Sequence, residues 1–301
     1  MSTVIKALGT AIWVPMLLAG QAPERPSLVR EVRAAIAQKD FARAETRVRD
    51  YRKQRGVTAE MVEALSWMGR GALAEKHLDQ AEAYAQETHK LSLEQLKGRK
   101  LDDDKHLPLA LGAAIEVEAQ VMSARGERFA AVGFLNKELA AYRATSIRTR
   151  IQKNIHLLSL EGRPAPRLEG VTLPAGKPVL LFFWAHWCPN CKGMAPSLAR
   201  LKQLYGGKGL VIVAPTQHYG YTRRGQDATP AEEDNYIGEV WREQYGGASG
   251  VSTPIGEENF RSYGASTTPT LVLVDSKGVV RMYHPGDMSY QELEPRVRQL
   301  F

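Results

Sequence analysis

The sequence predicts two different folds in one chain, an all-α segment followed by an α/β domain. From residue 27 to residue 160, apolar residues recur at three- and four-residue spacing, which is typical of amphipathic helices. From residue 176 to residue 301, continuous apolar runs alternate with helical patterns, which indicates an α/β layer arrangement. Residues 161–175 between them contain three prolines and two glycines, so we expect a linker there.

The first residues have the composition of a signal peptide, which we assign to residues 1–22. Lys6 precedes an apolar run from Ala7 to Gly20. That run is shorter than the roughly 18 to 20 apolar residues of a membrane-spanning helix, and Pro15 interrupts it. We therefore expect export to the periplasm, with cleavage between Ala19 and Ala22. An uncleaved N-terminal anchor is the alternative, and we expect no other segment to span a bilayer.

The all-α segment contains three self-similar units, which begin at Lys39, Lys76 and Gly126. Each places an aromatic residue or leucine three residues before a smaller apolar residue, in the pairs Phe41 and Ala44, Leu78 and Ala81, and Phe129 and Val132. The units resemble tetratricopeptide helix pairs, in which small residues allow helices to cross closely. A generic antiparallel helical bundle is the alternative. Either fold offers a helical surface to a protein partner, and the segment shows no motif for chemistry.

Composition and charge exclude several functions. The 40 Lys and Arg residues exceed the 33 Asp and Glu residues, but from Glu161 onwards the counts are 15 and 14, and no dense basic run occurs. We therefore predict no nucleic-acid partner. A glycine-rich phosphate loop, a zinc-protease motif and a nucleophile elbow are all missing from the sequence. We predict no cofactor and no metal.

The second half is predicted to contain four strands and three helices. Buried strands are expected where the sequence is continuously apolar, and Ser289 with Glu292 three residues later predicts a capping box for the last helix. The predicted strands are 178–184, 210–214, 270–274 and 279–284, and the first two predicted helices are 188–205 and 231–245.

The chain has two cysteines, Cys188 and Cys191, at the start of a predicted helix. At a helix N-terminus the free N–H groups and the helix dipole stabilise a thiolate. Residues three apart on the first turn face the same side, so the two sulfurs can join with little movement. Because so short a loop adds little stability, the pair is better suited to reaction than to cross-linking. We expect Cys188 to be the nucleophile and Cys191 to resolve the mixed disulfide.

Two other interpretations of the cysteines stay open at the level of sequence. Two thiols supply half of a tetrahedral metal site, which His186 and His284 would complete in a Cys/His metal chaperone. Alternatively, the helical half makes the chain an interaction scaffold, and its second domain serves only for docking.

The segment WAHWCPNCKGMAP resembles the active-site segment of thioredoxins, with the frame W-A-x-W-C-x-x-C-K and a helix-kinking proline at Pro196. Thr268-Pro269 before a predicted strand resembles the thioredoxin loop whose cis-proline lies against the redox pair. Residues 263–286 resemble the exported TlpA/ResA branch in particular.

This resemblance implies a C-terminal α/β thioredoxin fold and a thiol:disulfide oxidoreductase that acts on protein disulfides. It implies that Cys188 and Cys191 are catalytic. It further implies substrate-binding positions at Trp187, Thr268 and Pro269, and supporting positions at Trp184, His186, Pro189, Asn190 and Lys192. We favour a reductase supplied with electrons by a membrane partner.

The sequence departs from the family at two positions. Thioredoxins carry a buried Asp six residues before the first cysteine, where this chain has Phe182. The TlpA/ResA branch carries a Glu three residues after the second cysteine, where this chain has Met194. A glutamate or a water elsewhere could replace the missing proton acceptor, and so could His186, but a histidine beside a tryptophan is typically a surface residue. The direction of electron flow therefore stays open, and so does a role for Tyr219 and Tyr221 in lining a substrate groove.

Overall fold

The computed structural model describes residues 27–248 and 250–301, and the predicted signal peptide lies outside them. An all-α half is followed by a four-stranded sheet flanked by helices, so the predicted fold class is confirmed.

The described part of the first half forms seven α-helices. They are α1 (Leu28–Ala37), α2 (Phe41–Arg55), α3 (Ala59–Ala74), α4 (Leu78–Gln95), α5 (Leu107–Ala124), α6 (Arg128–Ala141) and α7 (Arg148–Ser159). The odd-numbered helices α1, α3 and α5 each pack against the next helix along the chain and against the next odd-numbered helix. This pattern of neighbours is that of stacked helical hairpins.

The three sequence units correspond to one recurring turn, which precedes α2, α4 and α6. Lys39, Lys76 and Gly126 each end the preceding helix with a positive φ, of 59°, 62° and 88°. The residue five positions after each turn residue is a fully buried alanine, in the series Ala44, Ala81 and Ala131. Our expectation for the third unit was therefore wrong by one residue. Phe129 does not enter the core and is 96% exposed.

Helix α5 has the length and mean hydropathy of a membrane span, a property that the sequence analysis did not assign to it. Its mean hydropathy is 1.2, and 56% of the segment is buried inside the protein. It contacts α3, α4, α6 and α7. Its apolar composition therefore fits the central helix of the first half, since a helix apolar all round is a buried helix.

The sheet of the second half contains β1 (Val179–Phe183), β2 (Val211–Val213), β3 (Thr270–Val274) and β4 (Val280–Pro285), in the order β2-β1-β3-β4. Strand β1 pairs parallel to β2 and antiparallel to β3, and β3 pairs antiparallel to β4. All residues of β1 and β3 are buried, as their continuous apolar runs predict. The predicted strands are confirmed, with no bound shifted by more than one residue.

The helices of the second half are α8 (Pro189–Gly193), α9 (Ala195–Tyr205), α10 (Pro230–Tyr245), α11 (Glu257–Tyr263) and α12 (Tyr290–Arg298). The helix expected from 188 to 205 is interrupted at Met194, because Pro196 lacks the N–H that a continuous helix needs. The capping box of Ser289 and Glu292 is confirmed. Helix α11 was not predicted.

The segment expected to be a linker lies along the edge of the sheet. The Gly162 amide donates to the Val280 carbonyl at 2.8 Å, and the Val280 amide donates to the Arg163 carbonyl at 2.9 Å. The Ala165 amide donates to the Gly278 carbonyl at 2.9 Å. These hydrogen bonds join the start of this segment to β4 and to the turn before it.

Candidate active site

Cys188 and Cys191 form a disulfide at the beginning of α8, with their Cα atoms 5.3 Å apart. Cys188 is the N-cap residue, and its Sγ accepts a hydrogen bond from the Cys191 amide at 3.1 Å. An N–H group aimed at sulfur stabilises a negative charge there, so this position favours the Cys188 thiolate after reduction. Both cysteines are nearly inaccessible, with Cys188 2% exposed and Cys191 fully buried, but Cys188 lines an open cleft and Cys191 does not.

The loop before β3 lies against the disulfide. The Thr268-Pro269 peptide bond is cis, and the Thr268 carbonyl oxygen lies 3.5 Å from the Cys188 Sγ. Within the described part of the chain, the amides of Thr267 and Thr268 donate no hydrogen bond. Thr267 and Thr268 also line the cleft, so their backbone is placed to pair with a bound peptide.

The two tryptophans of the motif have different environments. Trp184 is fully buried, and its Nε1 donates to the Ala214 carbonyl at 3.1 Å. Trp187 is 45% exposed, lies edge-on to Tyr219 at 5.4 Å and lines the cleft. Trp184 therefore packs the strand end that precedes the cysteines, while Trp187 offers an apolar face to whatever enters the cleft.

His186 is not the surface residue that the sequence suggested, since it is 1% exposed. Its Nε2 donates to Glu233 Oε1 at 3.1 Å, and its ring packs edge-on against Tyr219, Tyr221 and Tyr236. Burial lowers the pKa of His186. The hydrogen bond to Glu233 and the charge of Glu233 raise this pKa, but by less than burial lowers it. The imidazole is therefore neutral at pH 7.

Glu233, on α10, fixes the loop that follows β2. It is 1% exposed, and besides His186 it accepts hydrogen bonds from the amides of Tyr219 at 2.6 Å and Gly220 at 2.8 Å. Tyr219 in turn packs on Trp187. A single carboxylate thus ties the loop, the histidine and the cleft tryptophan together.

The remaining residues of the motif lie at the surface or at its edge. Pro189 and Asn190 are exposed and line the cleft, and the Asn190 side chain donates to Asp287 Oδ1 at 3.0 Å. Lys192 is partly buried, and its charge contributes to the lowered pKa of His186. The contact of Asn190 with Asp287 holds α8 against the turn after β4.

Phe182 and Met194, which replace the acids of the relatives, are both buried in the core around the cysteines. Phe182 packs against Tyr245 at a ring distance of 5.9 Å. Among the described residues from 170 onwards, Glu233 is the one carboxylate that is buried, and its oxygens already accept three hydrogen bonds. The buried surroundings of the disulfide are therefore mainly apolar.

The cleft over the disulfide has a volume of about 620 Å³ and is lined by both halves of the chain. The second half contributes the cysteine motif, the loop after β2, α11 and the loop before β3. The first half contributes Ser146 and Thr149. Tyr219 lines this cleft, whereas Tyr221 packs behind it on His186.

The alternative of a metal site finds no support in the positions of the histidines. His186 donates to Glu233, and His284 Nε2 lies 3.3 Å from the Asp287 carbonyl. Over residues 27–248 and 250–301, no group of three or more Cys, His, Asp and Glu side chains is placed to hold a metal ion.

Sequence reasoning missed Glu233, Ser146 and Thr149. Glu233 stands in the first turn of a helix, where an acidic residue is ordinarily explained by the helix dipole. Ser146 and Thr149 come from a half that shows no chemical motif. Their proximity to Cys188 is a tertiary property, and no local pattern reports it.

Comparison with known proteins agrees with this geometry. Residues 170–301 match the family model described as a thioredoxin-like domain. The second half of the chain is therefore a thioredoxin-like domain, and its site is that of a thiol:disulfide oxidoreductase.

The relatives are TlpA/ResA/DsbE-like proteins. The thioredoxin-like protein YneN of Bacillus subtilis is 29% identical over 146 residues, which cover 46% of this chain and 78% of YneN. The thiol:disulfide interchange protein DsbE of Xylella fastidiosa is 28% identical over 152 residues, which cover 46% of this chain and 68% of DsbE. The solved structure of MTB dsbF is 26% identical, covers 42% of this chain and 83% of dsbF, and has a TM-score of 0.34.

Proposed function

We propose that the protein is an exported reductase of protein disulfides that works through the Cys188–Cys191 dithiol. One observation carries the proposal. Cys188, although only 2% exposed, lines a cleft beside the Thr267 and Thr268 amides, which donate no hydrogen bond within the described chain, whereas Cys191 is fully buried and does not line the cleft. A substrate disulfide can therefore approach one sulfur only, and the second sulfur is held within bonding distance of the first.

The reaction starts from the reduced dithiol. The Cys188 thiolate attacks one sulfur of the substrate disulfide, the substrate S–S bond breaks, and the other substrate sulfur leaves as a thiolate that takes up a proton. The Cys191 thiol then loses its proton and attacks the Cys188 sulfur, which releases the second substrate thiol. The substrate gains two electrons and two protons, and the protein ends in the disulfide form present in this structure.

Export and electron supply complete the proposal. The signal-peptide pattern of residues 1–22 supports export, and the relatives named DsbE and ResA support an extracytoplasmic role. Each turnover leaves the protein oxidised, so a reductant on the same side of the membrane has to restore the dithiol. A membrane-bound dithiol protein has the required chemistry.

A turnover assay tests the activity. With dithiothreitol as the electron source, wild-type protein is expected to accelerate insulin reduction, and Cys188→Ser is expected to lose that acceleration because no thiol then lines the cleft. Equal rates for the two proteins would overturn the oxidoreductase function and would favour the interaction scaffold. The exposed Phe129 on α6 is the feature of the helical half that favours a protein partner.

A redox titration with glutathione tests the direction. A reductase is expected to have a midpoint potential well below about −200 mV, as thioredoxin does, whereas a value near −120 mV, on the order of that of a strong oxidant, would show an oxidant. The apolar Phe182 and Met194 place no like charge beside the Cys188 thiolate, which raises the potential, so this measurement is a strict test of the direction.

A further inference from the structure

The helical half contributes directly to the cleft that contains Cys188. Ser146 and Thr149, at the beginning of α7, line it together with Trp187, Thr267 and Thr268 of the thioredoxin-like domain. Ser146 is exposed and Thr149 is partly buried. The space above the disulfide is therefore a passage with a wall on each side, and we call the side formed by Ser146 and Thr149 the α7 wall.

The α7 wall is fixed to the thioredoxin-like domain through α11. The His156 Nε2 donates to the Ser262 carbonyl at 2.9 Å, and Arg148 lies 3.6 Å from Glu258. At Gly264 the two backbones touch, since a Cβ atom there would lie 2.3 Å from the Lys153 nitrogen. Because the contact is between backbones, no side chain between α7 and α11 could rotate to make room for a larger residue at Gly264.

Helix α11 leads directly into the loop before β3, which contains Thr267 and Thr268. Tyr283 stabilises this connection. Its hydroxyl is placed to donate to the carbonyl oxygens of Tyr263, at 2.9 Å, and Gly264, at 3.1 Å. The α7 wall and the substrate-binding loop are thus two parts of one packed unit.

The charged segment between α4 and α5 anchors the other end of the α7 wall. The Asp102 carboxylate accepts hydrogen bonds from the Ser146 amide, at 3.1 Å to its Oδ2, and from the Ser146 hydroxyl, at 2.5 Å to its Oδ1. The turn that carries Ser146 into the cleft is therefore held from the helical side as well.

We propose that the helical half selects the substrate by forming one side of its binding site, so that a disulfide reaches Cys188 only on an extended polypeptide segment lying between α7 and Trp187. This inference rests on the proposed function. The amides of Thr267 and Thr268 supply donors for the segment's backbone, and Trp187 supplies an apolar face.

Thr149 offers a clean test, because its hydroxyl makes no hydrogen bond within the described part of the chain, so its replacement breaks none. In the full-length protein, Thr149→Arg is expected to lower kcat/KM for insulin about tenfold or more by obstructing the passage. Reduction of the small disulfide 5,5′-dithiobis(2-nitrobenzoate) is expected to change less than about twofold. Thr46→Arg, at an exposed position of α2 outside the cleft lining, is the control for an added arginine; it breaks only the exposed hydrogen bonds of Thr46 with Ala42 and Arg49 and should change neither rate.

The outcomes separate this inference from the proposed function. If Thr149→Arg reduces insulin as fast as wild type, the helical half does not bound the substrate site, although the thioredoxin-like domain still exchanges disulfides. If wild type reduces neither substrate, the proposed function fails first. If Thr149→Arg slows both substrates equally, the α7 wall does not select, and the inference is overturned.

Hydrogen exchange on a trapped complex provides a second readout. In a Cys191→Ser protein disulfide-linked to an unstructured cysteine peptide, slower exchange is expected both at residues 266–268 and at the first amides of α7. Protection confined to residues 266–268 would contradict the proposal, because the peptide would then contact the thioredoxin-like domain alone.

Discussion

Glu233 is the residue whose role differs most from its appearance in the sequence. An acidic residue in the first turn of a helix is normally solvated, but Glu233 is buried and accepts hydrogen bonds from His186, Tyr219 and Gly220. It joins the active-site turn to the loop after β2. Its role is therefore positioning, since the oxygens that would accept a proton are already occupied.

Glu233→Gln tests that role. Glutamine has one acceptor oxygen, and its NH₂ group would face a donor, so the buried hydrogen bonds cannot all be kept. The expected loss is about 2–3 kcal/mol of unfolding free energy, measured by urea denaturation. Hydrogen exchange of the Tyr219 and Gly220 amides should also become faster.

Glu243→Gln on the same helix is the matched control. Glu243 is 54% exposed, so its replacement should change the free energy of unfolding by less than about 0.5 kcal/mol. Equal stability of Glu233→Gln and wild type would show that the carboxylate does not hold the loop.

The sequence predicted that Cys188 and Cys191 could join in a disulfide, which the structure shows, and it missed the residues packed around them. The frame around Cys188 and Cys191 is a contiguous motif, and it identified the pair at once. Burial of His186 could not be inferred, because its three aromatic neighbours and Glu233 lie 33 to 50 residues further along the chain. Contacts of that kind are created by the fold.

Helices α7 and α11 both contribute residues to the cleft, and their backbones meet at Gly264. Gly264 ends α11 with a φ of +61°, and its Cα faces the backbone of Lys153 and Gln152. Both features favour glycine, the first because left-handed backbone is costly for other residues and the second because a side chain has no room.

Gly264→Ala should separate the two helices. We expect a loss of about 3 kcal/mol or more in the free energy of unfolding, since the methyl group would overlap backbone atoms that cannot rotate away. The measurement is a urea titration followed by circular dichroism. Insulin reduction should slow as well, because the loop before β3 would shift.

Gly278→Ala distinguishes the steric effect from the conformational one. Gly278 has a φ of +79°, and no atom lies within 4 Å of the position that a Cβ would occupy. Only the left-handed backbone cost therefore applies, about 1 kcal/mol. Equal losses for the two variants would show that the close approach of α7 to α11 is unimportant.

The predictability of the elements follows from their length and burial. Strands β1 and β3 are continuous apolar runs and were predicted nearly to the residue. Helix α11 has seven residues and begins with two glutamates, too few positions for a periodic pattern to emerge. The third helical unit was predicted one residue too late in the chain. The prediction relied on Phe129 as a core residue, as is usual for a phenylalanine, but Phe129 is exposed.

A buried ion cluster connects α5, the central helix of the first half, to α7. Glu116 on α5 accepts hydrogen bonds from Arg150 at 2.8 Å and Lys153 at 3.0 Å, both on α7. Burial alone would raise the pKa of Glu116, but Arg150 and Lys153 together lower it to about 2. The carboxylate therefore stays charged down to strongly acidic pH.

This lowered pKa predicts how stability depends on pH. A carboxyl whose pKa falls from 4.5 to about 2 on folding contributes stability that is complete above pH 4.5 and is lost as pH falls towards 2. Glu116→Gln should therefore be less stable than wild type at pH 7, by about 3 kcal/mol, because two buried cations lose their partner. That difference should shrink steadily below pH 4.5.

Urea unfolding at a series of pH values measures this difference directly. Glu94→Gln, at an exposed position of α4, is the control and should follow wild type throughout. A difference between Glu116→Gln and wild type that does not change with pH would contradict the pairing.

Disulfide exchange between Cys188 and substrates that enter the cleft can be measured directly. Cys191→Ser removes the resolving thiol, so an attack by Cys188 on a disulfide peptide should stop at the mixed disulfide. Intact-mass and peptide mass spectrometry are expected to find one peptide attached per chain, at Cys188. The contradicting result is no adduct with Cys191→Ser, combined with an adduct at Cys191 when Cys188→Ser is used instead.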